Sequence, residues 1–284
     1  MAPSSSPTVK RRRLAAELRR LREAAKLTID QVAERLEWSA GKISKIENAR
    51  VSVMPRDARY LLDVYGVADP ERELLVTLAR ESRQRGWWQQ YGAIPEWFAT
   101  YVGLESEAVS VSSYQGEYVP GLLQTHDYAM AVHRAFTMTQ TDEEIEQHVA
   151  LRMARQERLD APDSPQLWLV LNEAVVRRLV GSRAIMHDQL GRLVGVSSHP
   201  KVTIQILPFS AGAHPAMDCA FRLLSFAEPT DNDVVYMEYP TGSLYLERAA
   251  EVARYRLMFD HLRAASLSVD ESRRLLVRAV DELA

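Results

Sequence analysis

The chain has 284 residues, 46% apolar and 26% charged, with a single cysteine, Cys219; this composition is globular rather than disordered, and the lone thiol excludes an internal disulfide or a cysteine-based zinc site. The net charge of -3 is divided: residues 1–85 hold 18 Lys+Arg against 12 Asp+Glu, and the rest 17 against 26, so the first part suits a polyanionic partner and the second does not. No run approaches the ~18 apolar residues of a membrane span, and no signal-peptide core is present, which reads as a cytoplasmic protein with no membrane partner.

Residues 1–9 are rich in Ser and Pro and are expected to form a disordered tail. Leu14, Leu18, Leu21 and Ala25 then recur at helical spacing and predict a helix over 10–25. Thr28, with Gln31 three residues on, forms a capping-box pattern at the head of a second helix buried through Ile29, Val32, Ala33 and Leu36. After the short break at Glu37 and Trp38, Ser39 is placed to cap a third helix through Asn48, with Ile43 and Ile46 inward. A fourth helix spans 54–65 and ends at Gly66. Asp69 and Pro70 predict the start of a fifth, running to about Arg85.

The next stretch, 86–104, is an aromatic connector with Trp87, Trp88, Tyr91, Trp97, Phe98 and Tyr101, expected to pack a seam between domains, with a partner-binding patch as the alternative. Beyond it, 167–171, 202–208, 219–226 and 233–239 read as strands, and 142–159, 173–180, 182–197, 247–265 and 268–283 as helices. The expected organisation is therefore an all-α N-terminal helix-turn-helix bundle over 10–85, the connector, and an α+β C-terminal domain over 105–284.

Two short helices joined by a tight turn place the second in a major groove. With Ile43 and Ile46 inward, Ala40, Gly41, Lys42, Ser44, Lys45 and Asn48 face the groove or its walls. The helix starts at Thr28 and Ser39 offer free amides to phosphate, Lys42 and Lys45 contact phosphate or guanine, and Arg50 reaches the backbone. Arg11, Arg12 and Arg13, following Lys10, read as a basic arm. These residues make double-stranded DNA the expected partner, and a homodimer follows because one recognition helix reads too few bases.

The stretch LTIDQVAERLEWSAGKISKIENAR resembles the Cro/repressor-like helix-turn-helix family, the XRE family, over residues 10–66. At three positions the chain departs from that family: Ile29 and Ala40 stand where glutamine is usual, and Glu37 where the turn glycine is usual. The segments EYVPGLLQTHDYA, RQERL, LNEAVVRRLVG, ILPFSAGAHPAMDCAFRLLSF and VVYMEYPTGSLYLE are similar to the C-terminal domain of an actinobacterial group of antitoxin-like regulators. That resemblance implies a small partner protein, with DNA binding serving autoregulation as the alternative to a ligand-sensing transcriptional regulator.

No motif for catalysis is present, so an enzyme, a cofactor and a metal site are not expected. His214, Asp218 and Cys219 suggest an activated thiolate only weakly, since a free cysteine is usually a small buried hydrophobe. Glu143, Glu144 and His148 read better as an acidic helix start than as metal ligands. Two loops are the better candidates for a partner protein or small-molecule effector: Pro120, Gly121, Leu122 and Gln124 in the first, and Pro208, Phe209, Gly212 and His214 in the second.

Overall fold

A computed structural model describes residues 6–92, 94–137, 139–228 and 231–284. The chain divides into two compact units, one of residues 1–89 with 228–231 and one of 90–227 with 232–284. No helix among the described residues is long and apolar enough to cross a membrane.

The first unit is an all-α bundle of α1 (Pro7–Ala24), α2 (Ile29–Leu36), α3 (Ala40–Glu47), α4 (Pro55–Tyr65) and α5 (Glu71–Glu81). Leu14 and Leu18 of α1, Val32 of α2, Ile43 and Ile46 of α3, Leu61 and Leu62 of α4, and Val76 of α5 close one apolar core. The 3.6-residue period of these side chains puts each helix's apolar stripe inward. Helix α1 begins earlier than the sequence suggested, within the stretch expected to be a disordered tail. Ser6 accepts a hydrogen bond from the Thr8 amide, Pro7 occupies the first turn, where its missing N–H costs nothing, and Val9 is 2% exposed. Residues 1–5 of that expected tail lie outside the described residues. Helix α5 also differs: it starts at Glu71 with Pro70 rather than Asp69 at the cap position and no side-chain cap bond, it ends at Glu81 rather than Arg85, and the Asp69 carboxylate pairs with Arg72 at 3.3 Å.

The second unit is α+β, as expected. Its six-stranded sheet runs β3-β2-β1-β4-β5-β6, with β1 (Ser110–Gln115), β2 (Gln166–Asn172) and β3 (Val202–Leu207) parallel, and β4 (Phe221–Ser225), β5 (Val234–Tyr239) and β6 (Gly242–Leu246) antiparallel. Its helices are α6 (Glu96–Glu105), α7 (His126–Phe136), α8 (Asp142–Gln156), α9 (Glu173–Arg177), α10 (Arg183–Val196), α11 (Ala249–Ala265) and α12 (Val269–Asp281).

Four of these elements, β1, β6, α6 and α7, are absent from the sequence reading. Strand β1 reads SVSSYQ, without the apolar run that marks a buried strand, yet Ser113 and Gln115 are buried at the centre of the sheet. Their side chains are satisfied locally, Gln115 donating to Ser113 at 2.8 Å and Ser113 to the Phe221 carbonyl at 3.4 Å. Helix α6 lies inside the stretch read as a connector. Tyr101, Val102 and Leu104 on it are buried, and Tyr101 stacks on Tyr236 with ring centres 4.2 Å apart. The aromatic stretch is thus divided, with Trp87 and Trp88 in the first unit and Trp97, Phe98 and Tyr101 in the second.

Register sets two faces of the sheet. Ser113 pairs with Leu169 and Arg222, and Arg222 with Tyr236, so these four share one side. Tyr114, Val170, Phe221 and Val235 point the other way and pack on Val252, Phe259 and Leu262 of α11. The β3 edge is closed by α12: Ile206 donates to the Ser272 hydroxyl at 2.9 Å and accepts from the Leu267 amide at 2.9 Å.

Candidate nucleic-acid interface

Local rules position α2 and α3. The Thr28 hydroxyl accepts from the Gln31 amide at 3.2 Å and the Gln31 side chain accepts from the Thr28 amide at 2.9 Å, closing a capping box. Ser39 caps α3 by accepting from the Lys42 amide at 3.2 Å. Between the helices Glu37 adopts a left-handed conformation, φ 53°, and the Trp38 amide returns to the Ala33 carbonyl at 2.9 Å. The corner is therefore the one that glycine favours, held by a residue with a Cβ.

Helix α3 is anchored by Ile43, Ile46 and Glu47, all buried. Glu47 was not anticipated. It accepts two hydrogen bonds from Arg22 of α1, at 2.8 and 2.9 Å, and Arg22 also donates to the Leu27 carbonyl at 2.7 Å. Hydrogen bonding to Glu47 raises the Arg22 pKa, outweighing burial. The pair fixes α3 against α1 and has no local sequence signal, since its members are 25 positions apart.

The expected DNA-contact residues separate into groups. Thr28, Ser39, Gly41, Lys45, Asn48 and Arg50 are exposed, and Ala40, Lys42 and Ser44 are half-buried. Nothing stands within 4 Å of the position a Cβ on Gly41 would take, so this face of α3 is open. Lys42 is engaged within the unit: its Nζ donates to Asp57 of α4 at 2.8 Å and lies over the Trp38 ring. Asn48 donates to the Ser44 carbonyl at 2.7 Å. The arm reading of Arg11, Arg12 and Arg13 is corrected, because all three sit half-buried on α1, whose apolar period carries straight through them. Arg13 makes a forked ion pair with Asp231, the closest approach 2.7 Å, and the preceding Lys10 is buried and paired with Glu81 at 3.0 Å.

In the second unit, the first candidate loop is largely interior. Pro120, Leu122 and Gln124 are buried and Gly121 is half-buried; Gln124 donates to the Val119 carbonyl at 2.6 Å, and Gln156 donates to the carbonyls of Gly121 and Gln124. Backbone oxygens in an apolar setting need such donors, which is why this Gly/Pro turn is pinned down and is not a free surface loop. The second loop is open: Phe209 is 59% exposed, Gly212 takes φ 66°, and Pro208 and His214 are half-buried, with His214 Nε2 3.3 Å from the Tyr114 hydroxyl.

Strand β4 begins at Phe221, so Cys219 lies before it and not at its head. Burial, with Asp218 adding to it, pushes the Cys219 thiol up, opposite to what an activated thiolate requires. Glu144 closes a capping box on Thr141, and His148 stacks on His133.

A bundle whose second and third helices are capped, joined by a left-handed corner and open along the outer face of α3 defines a helix-turn-helix protein, joined in this chain to an α+β unit. Residues 13–75 match the family described as a helix-turn-helix domain. Residues 98–278 match the family described as Domain of unknown function (DUF5753), and the chain belongs to that family. No curated protein and no solved structure matches it.

Proposed function

We propose that the protein is a cytoplasmic, sequence-specific transcriptional regulator of XRE type that binds double-stranded DNA as a homodimer. The observation that carries this reading is the capped α2–α3 pair with Gly41, Lys45 and Arg50 exposed on and just beyond α3. Lys45 is the base-reading side chain and Arg50 a backbone contact, while the amides at the starts of α2 and α3 meet phosphates. Lys42 is a positioning residue, holding α3 to α4 through Asp57. The test is binding of the purified chain to its own promoter region and to random DNA across a salt series. Preference for promoter DNA with a steep loss on adding salt is expected; equal, weak binding to both would overturn the reading.

A second reading assigns the C-terminal unit to a small partner protein, in an antitoxin-like arrangement typical of the actinobacterial group the sequence resembles. Phe209 at 59% and Met217 at 69% exposure, both in the segment between β3 and β4, favour it. Co-purification of a small neighbouring protein, lost in Phe209→Ser, is its expected result; retention of that protein by the variant would count against this loop.

A further inference from the structure

Three arginines of the second unit are drawn away from solvent, and two of them are matched. Arg155 on α8 is buried, and its Nε and Nη2 fork onto the two oxygens of Glu105 at 2.7 and 2.8 Å. Arg222 on β4, half-buried, pairs with Glu238 at 3.7 Å and lies against the rings of Tyr101 and Tyr236. Arg152 on α8, also half-buried, has no carboxylate within ion-pair distance among the described residues. Its Nη1 donates to the neutral amide of Gln124, its Nε is buried without a partner, and its Nη2 makes no hydrogen bond to a described residue. The acidic side chains on the neighbouring segments are spent elsewhere: Glu117 pairs with Arg178, and Glu144 accepts from the Thr141 amide at 2.8 Å. Burial, then repulsion from Arg155, pulls the Arg152 guanidinium down to about 10, so it is still a cation at neutral pH. A half-buried cation with no counter-charge is costly, and one anion removes the cost.

The groups around Arg152 are neutral and aromatic. His148 precedes it by one helical turn on α8 and shares its face. The His148 ring stacks on His133 of α7, with centres 5.7 Å apart and planes 11° from parallel. Burial, then repulsion from Arg152, lowers the pKa of both imidazoles, so neither adds a charge at neutral pH. Tyr118, in the segment between β1 and α7, is close enough to act on Arg152 electrostatically. Its ring meets that of Phe136 edge-on at 5.3 Å, and Phe136 is exposed at the end of α7. One free guanidinium nitrogen therefore lies beside an aromatic pair, and the single unmatched charge suits a monoanion, since no second free cation is at hand for a phosphate dianion.

We propose that Arg152, with Tyr118 and Phe136, forms a binding site for a small aromatic carboxylate, its carboxylate on Arg152 Nη2 and its ring against the Tyr118–Phe136 pair. The ligand supplies the counter-charge that the fold withholds from Arg152. This inference rests on the second unit, and DNA binding plays no part in its test.

The test is titration of the full chain with sodium benzoate, sodium acetate and sodium phosphate at pH 7.5 and constant ionic strength, followed by the histidine ring resonances. Benzoate is expected to give saturable shifts of His133 and His148 with half-saturation in the millimolar range. Acetate, which lacks the ring, is expected to need at least about tenfold more, and phosphate to cause no saturable shift. Arg152→Gln is expected to lose benzoate saturation. Phe136→Ala alters an exposed side chain and leaves the core alone; it is expected to raise half-saturation for benzoate about threefold or more and to leave acetate unchanged. No saturable benzoate shift in the wild type, the same benzoate curve in wild type and Arg152→Gln, or an unchanged benzoate-to-acetate ratio in Phe136→Ala would overturn the proposal. Tighter binding of phosphate than of benzoate would overturn the carboxylate assignment.

Discussion

Lys42 donates from Nζ to Asp57 across 2.8 Å, and the same ammonium lies 3.3 Å from the centre of the Trp38 ring. One of the two lysines on α3 therefore serves the bundle, and the other, Lys45, is exposed and is the one proposed to read DNA. Lys45→Ala is expected to weaken binding to promoter DNA by about 1–3 kcal/mol and to random DNA by less. Lys42→Ala is expected to weaken both equally through loss of α3 positioning, and Asp57→Ala, which breaks the same ion pair, to weaken both in the same way. Fluorescence anisotropy on both sequences checks all three; equal losses on both sequences for Lys45→Ala would remove it from base reading.

Arg22 and Glu47 form a forked, buried pair between α1 and α3. Removing one member strands the other charge in the core, a penalty on the order of 3 kcal/mol. Glu47→Ala is expected to lower the denaturant midpoint of the first unit by a corresponding amount. The double change Arg22→Met with Glu47→Leu should recover much of the loss, since an apolar pair leaves nothing unsatisfied. A double-variant cycle in urea measures the coupling.

Glu37 holds a left-handed backbone at φ 53° in the corner between α2 and α3. Glycine adopts this conformation without a Cβ clash, so Glu37→Gly is expected to stabilise the first unit by about 0.5–1 kcal/mol. Chemical unfolding reads the change; a loss of stability would mean that the Glu37 side chain contributes more than its backbone costs.

His133 stacks on His148 with ring centres 5.7 Å apart, and its Nε2 is buried without a partner. Burial, with Arg152 and His148 adding repulsion, pulls its pKa from 6.5 to about 3. Below pH 6.5 the unfolded chain takes up a proton that the folded chain refuses, so stability falls as the pH drops from 6.5 toward 3. His133→Gln is expected to flatten that slope while changing stability at pH 8 far less. Unfolding midpoints at a series of pH values test it, and an unchanged slope would assign the acid lability elsewhere.

The helix-turn-helix was legible because its signals are local. The Thr28 and Gln31 box, the Ser39 cap, and the stripe of Val32, Ile43 and Ile46 each depend on neighbours within a turn or two of helix. The apolar runs of β2, β3 and β5 were legible for the same reason. Strand β1 was not, since a polar SVSSYQ becomes a central strand only when β2 and β4 supply its ladder. Helix α6 was read as connector because its aromatics have no helical stripe, and their burial depends on Tyr236, far along the chain.

The candidate site divides in the same way. Sequence alone placed Lys45 and Gly41 on the outer face of α3, because period and capping decide which side of a short helix is wet. Only the tertiary structure engaged Lys42 with Asp57 and Arg13 with Asp231, paired Lys10 with Glu81, and matched the buried Arg155 to Glu105. A backbone pattern repeats every few residues and can be read from neighbours. A charge is settled by whichever opposite charge the fold brings within about 4 Å, and that partner can stand anywhere in the chain.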